Sequence, residues 1–272
     1  MIPAAFDYVR AGSADEAVSL LAQHGEEAKL LAGGHSLLPL MKLRLATPSV
    51  LIDVGRLAEL SYVRQGDRHV AIGAGTRHQD LQTSPVLAQS APVVARVAGS
   101  IGDPQVRHRG TIGGSLAHGD SASDLPAVVL ALGGTLVAQG PQGTREIAAD
   151  DFFVGFLETA LAPDEMLIEV RLPQAASGSF HKFNRRAQDW AIVGAVAARR
   201  NGGIGVALVN MATVPVRARA TEEALASGAS LTDAAQLADD GLDPPEDGNA
   251  SADYRRHLAR VLVRRALEEV GP

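Results

Sequence analysis

The chain has 272 residues, of which 46% are hydrophobic and 21% charged, and its formal net charge is −6. This length exceeds one minimal domain, so two or three compact lobes are expected. The absence of cysteine excludes thiolate-ligated zinc and cysteine-ligated iron–sulfur clusters within the chain, and an acidic chain without a basic stripe is not typical of nucleic-acid binding.

The N-terminal part has the pattern of an α/β unit. Ser13 and Glu16 have the S-x-x-E spacing of a capping box that opens a helix, and Gly25 suits its end. Short apolar runs at 29–32 and 50–54 predict two strands. A glycine-rich turn and a further apolar stretch separate them.

The middle of the chain predicts a mixture of strands and helices. A strand at 70–74 precedes Thr76 and Gln79, whose spacing indicates a second capping box. Apolar helical sequence continues to Ala98 with breaks at two prolines, and Pro126 suits the first turn of another helix. Further strands are expected at 135–138, 145–147 and 166–172.

The C-terminal part predicts three strands followed by helices. The strands are expected at 180–186, 192–199 and 204–212. Asn201-Gly202-Gly203 favours a hairpin turn between the last two. Helices are expected at 218–227, 231–239 and 254–270. The whole pattern divides the chain into units at 1–56, 57–173 and 174–272.

Targeting signals and membrane spans are not apparent. No apolar stretch reaches the length of a membrane-spanning helix. The first ten residues contain Asp7 and Arg10 and lack the continuous apolar core of a signal peptide. We therefore expect a cytoplasmic protein without a transmembrane segment.

Two glycine pairs are the strongest candidates for a binding site. They lie in Ala32–Ser36 and in Thr111–Ser115, each after an apolar residue and before a small hydroxyl residue. Glycine allows a sharp turn and a close ligand, and successive N–H groups can converge on a diphosphate. The alternative is that the pairs only make tight turns. Neither segment has the P-loop or Rossmann pattern.

Polar and aromatic residues elsewhere leave alternatives open. Asp124 either caps the helix that follows it or faces the hydroxyls of a ribityl chain or ribose. Lys182 could neutralise a diphosphate or a reduced flavin, or belong to a solvated basic edge. Trp190, the only tryptophan, could pack on a planar ring or lie in the core. The eight histidines form no metal signature, so no metal site is expected.

At these motifs the sequence resembles the FAD-binding medium subunits of the carbon monoxide dehydrogenase and xanthine dehydrogenase family, the molybdenum hydroxylases. The resemblance spans nearly the whole chain and weakens after about residue 215. The residues that carry it are Ala32-Gly33-Gly34-His35-Ser36-Leu37-Leu38-Pro39, Thr111-Ile112-Gly113-Gly114-Ser115, Phe6-Asp7-Tyr8, Asp103-Pro104-Gln105-Val106-Arg107, Ser123-Asp124-Leu125-Pro126-Ala127 and Lys182, Arg185 and Asp189.

This resemblance implies an α+β fold of the vanillyl-alcohol-oxidase-like, PCMH type, with a C-terminal domain of a three-stranded sheet and helices. It also implies that FAD is bound between the first two lobes, and that no residue of this chain is catalytic. The cofactor-binding residues carried over are Lys29, Leu30, Leu31, Ala32, Gly33, Gly34, His35, Ser36, Thr111, Ile112, Gly113, Gly114, Ser115, His118, Asp120, Asp124, Leu167, Lys182 and Trp190.

The same resemblance implies a place in a complex. A large molybdopterin-binding subunit would oxidise the substrate, and a small subunit would carry two [2Fe–2S] clusters. The flavin of this chain would pass the electrons to an acceptor such as a quinone, a cytochrome, oxygen or NAD. The alternatives are a self-contained FAD-dependent oxidoreductase and a non-enzymatic FAD-binding or assembly protein.

Two positions depart from the family pattern within the second FAD loop. His118 stands where many relatives have Asn, and Ser121 stands where Pro is common. These departures concern the details of contact with the ribityl chain or flavin, while the expected cofactor remains FAD.

Overall fold

The computed structural model describes residues 2–175, 177–200 and 202–271. Its larger sheets follow one another along the chain, in the order parallel, antiparallel, antiparallel. Apolar cores lie within the N-terminal part, across the middle, and beneath the C-terminal helix. Within the described ranges, no helix combines the length and apolarity needed to cross a membrane.

A three-stranded parallel sheet lies at the N-terminal end. Its elements are β1 (Asp7–Arg10), α1 (Ala14–His24), β2 (Ala28–Leu31), α2 (Leu37–Lys42) and β3 (Val50–Asp53). The strand order is β1-β3-β2. Ser13 caps α1 by accepting the Glu16 N–H, as its spacing predicts, and Glu16 reaches back to Gly12. The short, largely exposed β1 was not evident in the sequence.

The middle of the chain forms a five-stranded antiparallel sheet, a small hairpin and several helices. The strands are β4 (Val63–Gln65), β5 (His69–Gly73), β6 (Thr135–Gly140), β7 (Gly143–Ala148), β8 (Phe153–Gly155), β9 (Glu158–Thr159) and β10 (Met166–Pro173). The helices are α3 (His78–Thr83), α4 (Pro85–Ser90), α5 (Pro92–Ser100), α6 (Pro104–Arg107), α7 (Ile112–His118), α8 (Asp124–Leu132) and α9 (Ala149–Phe152). The sheet order β4-β5-β10-β6-β7 places β10 at the centre, and β8 pairs with β9.

The C-terminal part is an antiparallel sheet with three helices. Its elements are β11 (Gly178–Phe183), β12 (Val193–Arg200), β13 (Gly203–Val209), β14 (Val216–Arg217), α10 (Arg219–Ala226), α11 (Leu231–Ala235) and α12 (Ala252–Val270). Two-residue β14 adds a fourth strand to the three expected, because so short a strand leaves no periodic signal. Arg200 pairs with Gly203 across the predicted hairpin, whose Asn201 lies outside the described residues.

Helix α8 joins the middle of the chain to the C-terminal sheet. All nine of its residues are buried, as is typical of a helix that is apolar on every side. A Cβ on Gly205 of β13 would lie 1.9 Å from the Ala131 carbonyl oxygen of α8. Glycine therefore permits the close approach of sheet and helix, which brings β11 beside the loop that precedes α8.

The second capping box expected at Thr76 and Gln79 is wrong. Helix α3 begins after Arg77, with no side-chain cap. The Thr76 hydroxyl instead accepts the Tyr62 N–H at 3.0 Å and donates to the Tyr62 carbonyl at 2.9 Å. The backbone of Tyr62, outside the local sequence of the expected box, occupies the hydroxyl, so local spacing was a poor guide.

Candidate cofactor-binding site

A cavity of about 930 Å³ opens between the N-terminal sheet and the middle of the chain. This volume lies at the upper end of the roughly 300–1,000 Å³ typical of small-molecule and cofactor sites. Most of the expected cofactor residues line it. They are Lys29, Leu30, Leu31, Ala32, Gly33, Gly34, His35, Ser36, Thr111, Gly113, Gly114, Ser115, His118, Asp124, Leu167, Lys182 and Trp190.

Two expected residues do not line the cavity, Ile112 and Asp120. Ile112 is fully buried in the core beneath α7, because the first turn of that helix directs it inward. The Asp120 carboxylate accepts the Ala122 N–H at 2.8 Å and so closes the turn between α7 and α8. Both residues stabilise segments whose neighbouring residues line the cavity, and neither residue lines the cavity itself.

The first glycine segment presents a row of unused backbone donors. The consecutive N–H groups from Gly33 to Leu37 donate to no other described residue. Gly34 has a φ of +80°, and a Cβ there would lie 2.9 Å from the Leu38 side chain, so glycine suits this position. Five successive donors beside a cavity suit a negatively charged group of several oxygens, such as a diphosphate.

The second glycine segment does not offer such donors, which corrects the expectation from its sequence. It is the first turn of α7, and Thr111 caps it. The Gly113 N–H donates to the Ala74 carbonyl at 2.8 Å, and the Gly114 N–H donates to the Thr111 hydroxyl at 3.1 Å. The N–H groups of Ile112 and Ser115 also have partners in the chain. What this segment offers the cavity is the half-buried Ser115 hydroxyl.

The glycines also allow the two segments to meet. A Cβ on Gly33 would lie 2.4 Å from the Arg109 carbonyl oxygen and 2.8 Å from Gly110 Cα. A Cβ on Gly113 would lie 2.6 Å from Ala74 Cβ. These glycines are thus required by backbone packing of the cavity wall. The sequence alone suggested that they make room for a ligand.

A buried ion pair lies at the cavity wall where the C-terminal sheet reaches it. Lys182 Nζ of β11 lies 2.9 Å from Asp124 Oδ2 at the start of α8. Burial raises the pKa of the Asp124 carboxyl, and the Lys182 ammonium opposes that rise. Asp124 Oδ1 is buried and has no partner among the described residues. Asp124 does not cap α8, because Ser123 occupies the cap position without a side-chain bond.

His78 is a cavity residue that sequence reasoning missed. It is 3% exposed and lies at the start of α3. Burial, followed by the charges of His35 and Arg107, lowers its pKa to about 4, so the imidazole is neutral at pH 7. Its Nε2 lies 3.4 Å from Ser115 Oγ. No motif marked it, because its only sequence context was the mistaken capping box.

The mouth of the cavity carries exposed side chains and strained backbone. Trp190 lines the cavity yet is 76% exposed, so the core interpretation of this tryptophan is wrong. Leu157 and Gln188 also line the cavity, with φ values of +54° and +73°. Positive φ at such residues costs free energy and often occurs at functional sites. The hairpin β8–β9, which supplies Leu157, had no recognisable motif.

A metal centre is not found in the ranges that the structure describes. No group of three or more His, Asp or Glu side chains there is arranged to hold a metal ion. The chemistry of the cavity wall is instead that of an anion and hydroxyl site. It combines free backbone N–H groups, hydroxyls, carboxylates and apolar side chains.

Comparison with known proteins agrees with this geometry. The family described as the FAD binding domain in molybdopterin dehydrogenase matches residues 4–175, and the CO dehydrogenase flavoprotein C-terminal domain matches residues 178–270. The carbon monoxide dehydrogenase medium chain of Hydrogenophaga pseudoflava is 43% identical, over 98% of this chain and 97% of the relative. The 6-hydroxypseudooxynicotine dehydrogenase complex subunit alpha of Paenarthrobacter nicotinovorans is 40% identical, over 98% and 95%.

A solved structure shows the same fold over nearly the full length. Carbon monoxide dehydrogenase from Hydrogenophaga pseudoflava, in a form that lacks the Mo-pyranopterin moiety of its cofactor, superposes with a TM-score of 0.94. The matched chains are 44% identical, and the match covers 99% of this chain and 98% of the other. The PCMH-type architecture expected from the sequence agrees with this match.

Proposed function

This chain belongs to the family of FAD-binding medium subunits of the molybdenum hydroxylases, and we propose that it holds FAD in the cavity between its first two sheets. The cofactor would be bound by the cavity-lining residues named above. The observation that carries this proposal is the row of five unused N–H groups from Gly33 to Leu37, because a diphosphate is the part of FAD that needs such donors.

The polar groups of the cavity fit the other parts of FAD. Asp124 Oδ1 is a buried acceptor with no partner in the described part of the chain, so an N–H or O–H donor from the cofactor would remove the cost of leaving it unpaired. The Ser115 hydroxyl would donate to a diphosphate oxygen. Exposed Trp190 at the mouth provides a flat apolar surface for a ring. The group and the site therefore match in charge, polarity and size.

FAD supplies the redox chemistry when it is bound, and the chain binds and orients it. The free N–H groups fix the position of the diphosphate. The Asp124–Lys182 pair presents a carboxylate oxygen while keeping that part of the wall close to neutral, since Lys182 already has a partner. No side chain of this chain is assigned a proton-transfer role.

We further propose that the chain works inside a complex. A small subunit with [2Fe–2S] clusters would deliver electrons, a large molybdopterin-binding subunit would oxidise the substrate, and an external acceptor would take the electrons from FAD. Two observations support this: relatives are named as the medium chain or one subunit of a dehydrogenase, and the chain has no cysteine to ligate a cluster. The relatives are named after different substrates. Similarity to them therefore supports the role as a subunit and does not identify a substrate.

The division into units at 1–56, 57–173 and 174–272 also stays a proposal. Each sheet takes all its strands from one of these ranges, which supports the boundaries. Helix α8 of the middle range and β13 of the last are in close contact, so the second and third units would behave as one body.

The first experiment is an absorption spectrum of the purified chain, with the released cofactor identified by mass. Bands of an oxidised flavin and the mass of FAD are expected. A colourless chain that also fails to bind added FAD would overturn the cofactor proposal. Reduction of the bound flavin by a simple organic substrate, without other subunits, would favour a self-contained oxidoreductase and overturn the role in a complex.

A further inference from the structure

His78 and Ser115 form a contact at the cavity wall that neither the motifs nor the comparisons explain. His78 Nε2 lies 3.4 Å from Ser115 Oγ. A Cβ on Gly110 would lie 2.7 Å from His78 Cδ2 and 2.8 Å from Nε2, so the ring lies directly against a glycine backbone. The imidazole thus has little freedom to turn away from the serine.

The backbone fixes the same arrangement. The His78 N–H donates to the Gly110 carbonyl at 3.0 Å. Arg77 and Thr111 form an isolated antiparallel bridge. The start of α3 is therefore attached to the start of α7, and the histidine and the serine are held on opposite sides of one short backbone junction.

The tautomer of His78 decides what Ser115 can donate. His78 Nδ1 is buried and has no partner among the described residues. If Nδ1 carried the proton, a buried N–H donor would be left unpaired, and Nε2 would draw the serine proton toward the ring. If Nε2 carries the proton, it donates to Ser115 Oγ, and the serine O–H is directed elsewhere. The second tautomer leaves only a lone pair unpaired at Nδ1.

We propose that His78 is a positioning residue that, as the Nε2–H tautomer, orients the Ser115 hydroxyl so that its proton points into the cavity toward a diphosphate oxygen. This inference rests on the proposed function. An anionic acceptor in the cavity selects the tautomer that frees the serine proton, since a hydroxyl turned toward the imidazole would present only its oxygen to the anion. Burial and the neighbouring charges of His35 and Arg107 lower the pKa of His78, so the ring at pH 7 is in one of its two neutral tautomers.

The test is a titration of FAD into the apo form of the full chain, with four variants. Glutamine can place an N–H near the position of Nε2, and asparagine is too short to do so. We expect His78→Gln to bind FAD within about twofold of wild type. We expect His78→Asn and Ser115→Ala each to bind about tenfold more weakly, as for the loss of one hydrogen bond to a charged group.

The double variant and a spectroscopic signature separate positioning from packing. The His78→Asn, Ser115→Ala double variant should bind no more than about tenfold more weakly than wild type, because both changes remove one interaction. The ³¹P resonances of bound FAD should shift alike in His78→Asn and Ser115→Ala and stay unchanged in His78→Gln. Thermal unfolding of each apo variant serves as the control for folding.

Two results would overturn the inference. Equal loss of affinity in His78→Gln and His78→Asn would show that only the ring's packing matters. A double variant about a hundredfold weaker than wild type would show that the residues act independently. If the wild-type chain itself failed to bind FAD, the proposed function would fail together with this inference, whereas binding without coupling removes the inference alone.

Discussion

Burial gives the Asp124–Lys182 pair an importance that the sequence did not reveal. Both side chains are almost inaccessible, at 5% and 11% exposed. From the sequence alone, Lys182 could also belong to a solvated basic edge. The structure instead gives it a fixed carboxylate partner at the wall of the cavity, so its charge is compensated before any cofactor arrives.

We predict that Lys182→Met destabilises the apo chain by about 3–5 kcal/mol at pH 7, because it leaves the Asp124 carboxylate buried and uncompensated. The loss should shrink as the pH falls. Without Lys182 the folded-state pKa of Asp124 lies further above its unfolded value, so the folded state binds the extra proton and is stabilised at low pH. Urea unfolding at several pH values measures this.

The control for that prediction is the double variant Lys182→Met, Asp124→Asn. It removes both charges and should recover much of the stability lost in the single variant. A single variant with wild-type stability, or a loss of stability independent of pH, would contradict the explanation that an uncompensated Asp124 carboxylate destabilises the chain.

At the scale of elements, the two glycine segments look alike in sequence and differ in what their backbones do. The first joins β2 to α2 and leaves its N–H groups unused, whereas the second is the capped first turn of α7. The difference comes from partners far away in the chain. Ala74 and Thr76 supply carbonyls to the second segment, whereas no acceptor in residues 2–175, 177–200 and 202–271 reaches the first.

We predict that hydrogen exchange distinguishes the two segments. In the apo chain the amides of Gly33 to Leu37 should exchange rapidly, because they donate a hydrogen bond to none of the residues that the structure describes. Added FAD should slow them by an order of magnitude or more, while the amides of Gly113 to Ser115 are protected in both states. Exchange measured by NMR or by mass spectrometry of short peptides checks this. Protection of Gly33 to Leu37 before FAD is added would contradict the assignment.

Sequence reasoning predicted most of the helices and strands, and most of the residues that the structure brings together at one cavity. It failed where a partner from another part of the chain decides the local structure. Ser13 and the proline-separated helices α3, α4 and α5 follow from local rules. The capping box predicted at Thr76 is not formed, because the Thr76 hydroxyl hydrogen-bonds to the backbone of Tyr62. His78 had no local signal at all, since its role arises from burial beside Gly110. The cofactor itself was recognised through resemblance to a family.

At the scale of the whole molecule, the cavity wall is built from every part of the chain. Lys29 belongs to the N-terminal sheet, Ser115 to the middle, and Lys182 to the C-terminal sheet. A ligand that contacts all of these binds the folded chain and not the separated parts. Its binding free energy should therefore stabilise the entire fold.

We predict that FAD at a hundredfold excess over its dissociation constant adds about 2.7 kcal/mol to the free energy of unfolding. Fluorescence of the single Trp190, which lies in the loop after β11, and far-UV circular dichroism should report one coincident urea transition in both apo and FAD-bound chains. Coincidence is expected because α8 is buried between the middle elements and the C-terminal sheet, so neither part can unfold alone without exposing it.

Riboflavin, which lacks the diphosphate, is the matched ligand control and should stabilise far less at equal concentration. A Trp190 transition that stays at the apo midpoint while the dichroism shifts would show that the C-terminal sheet unfolds separately and takes no part in holding the cofactor.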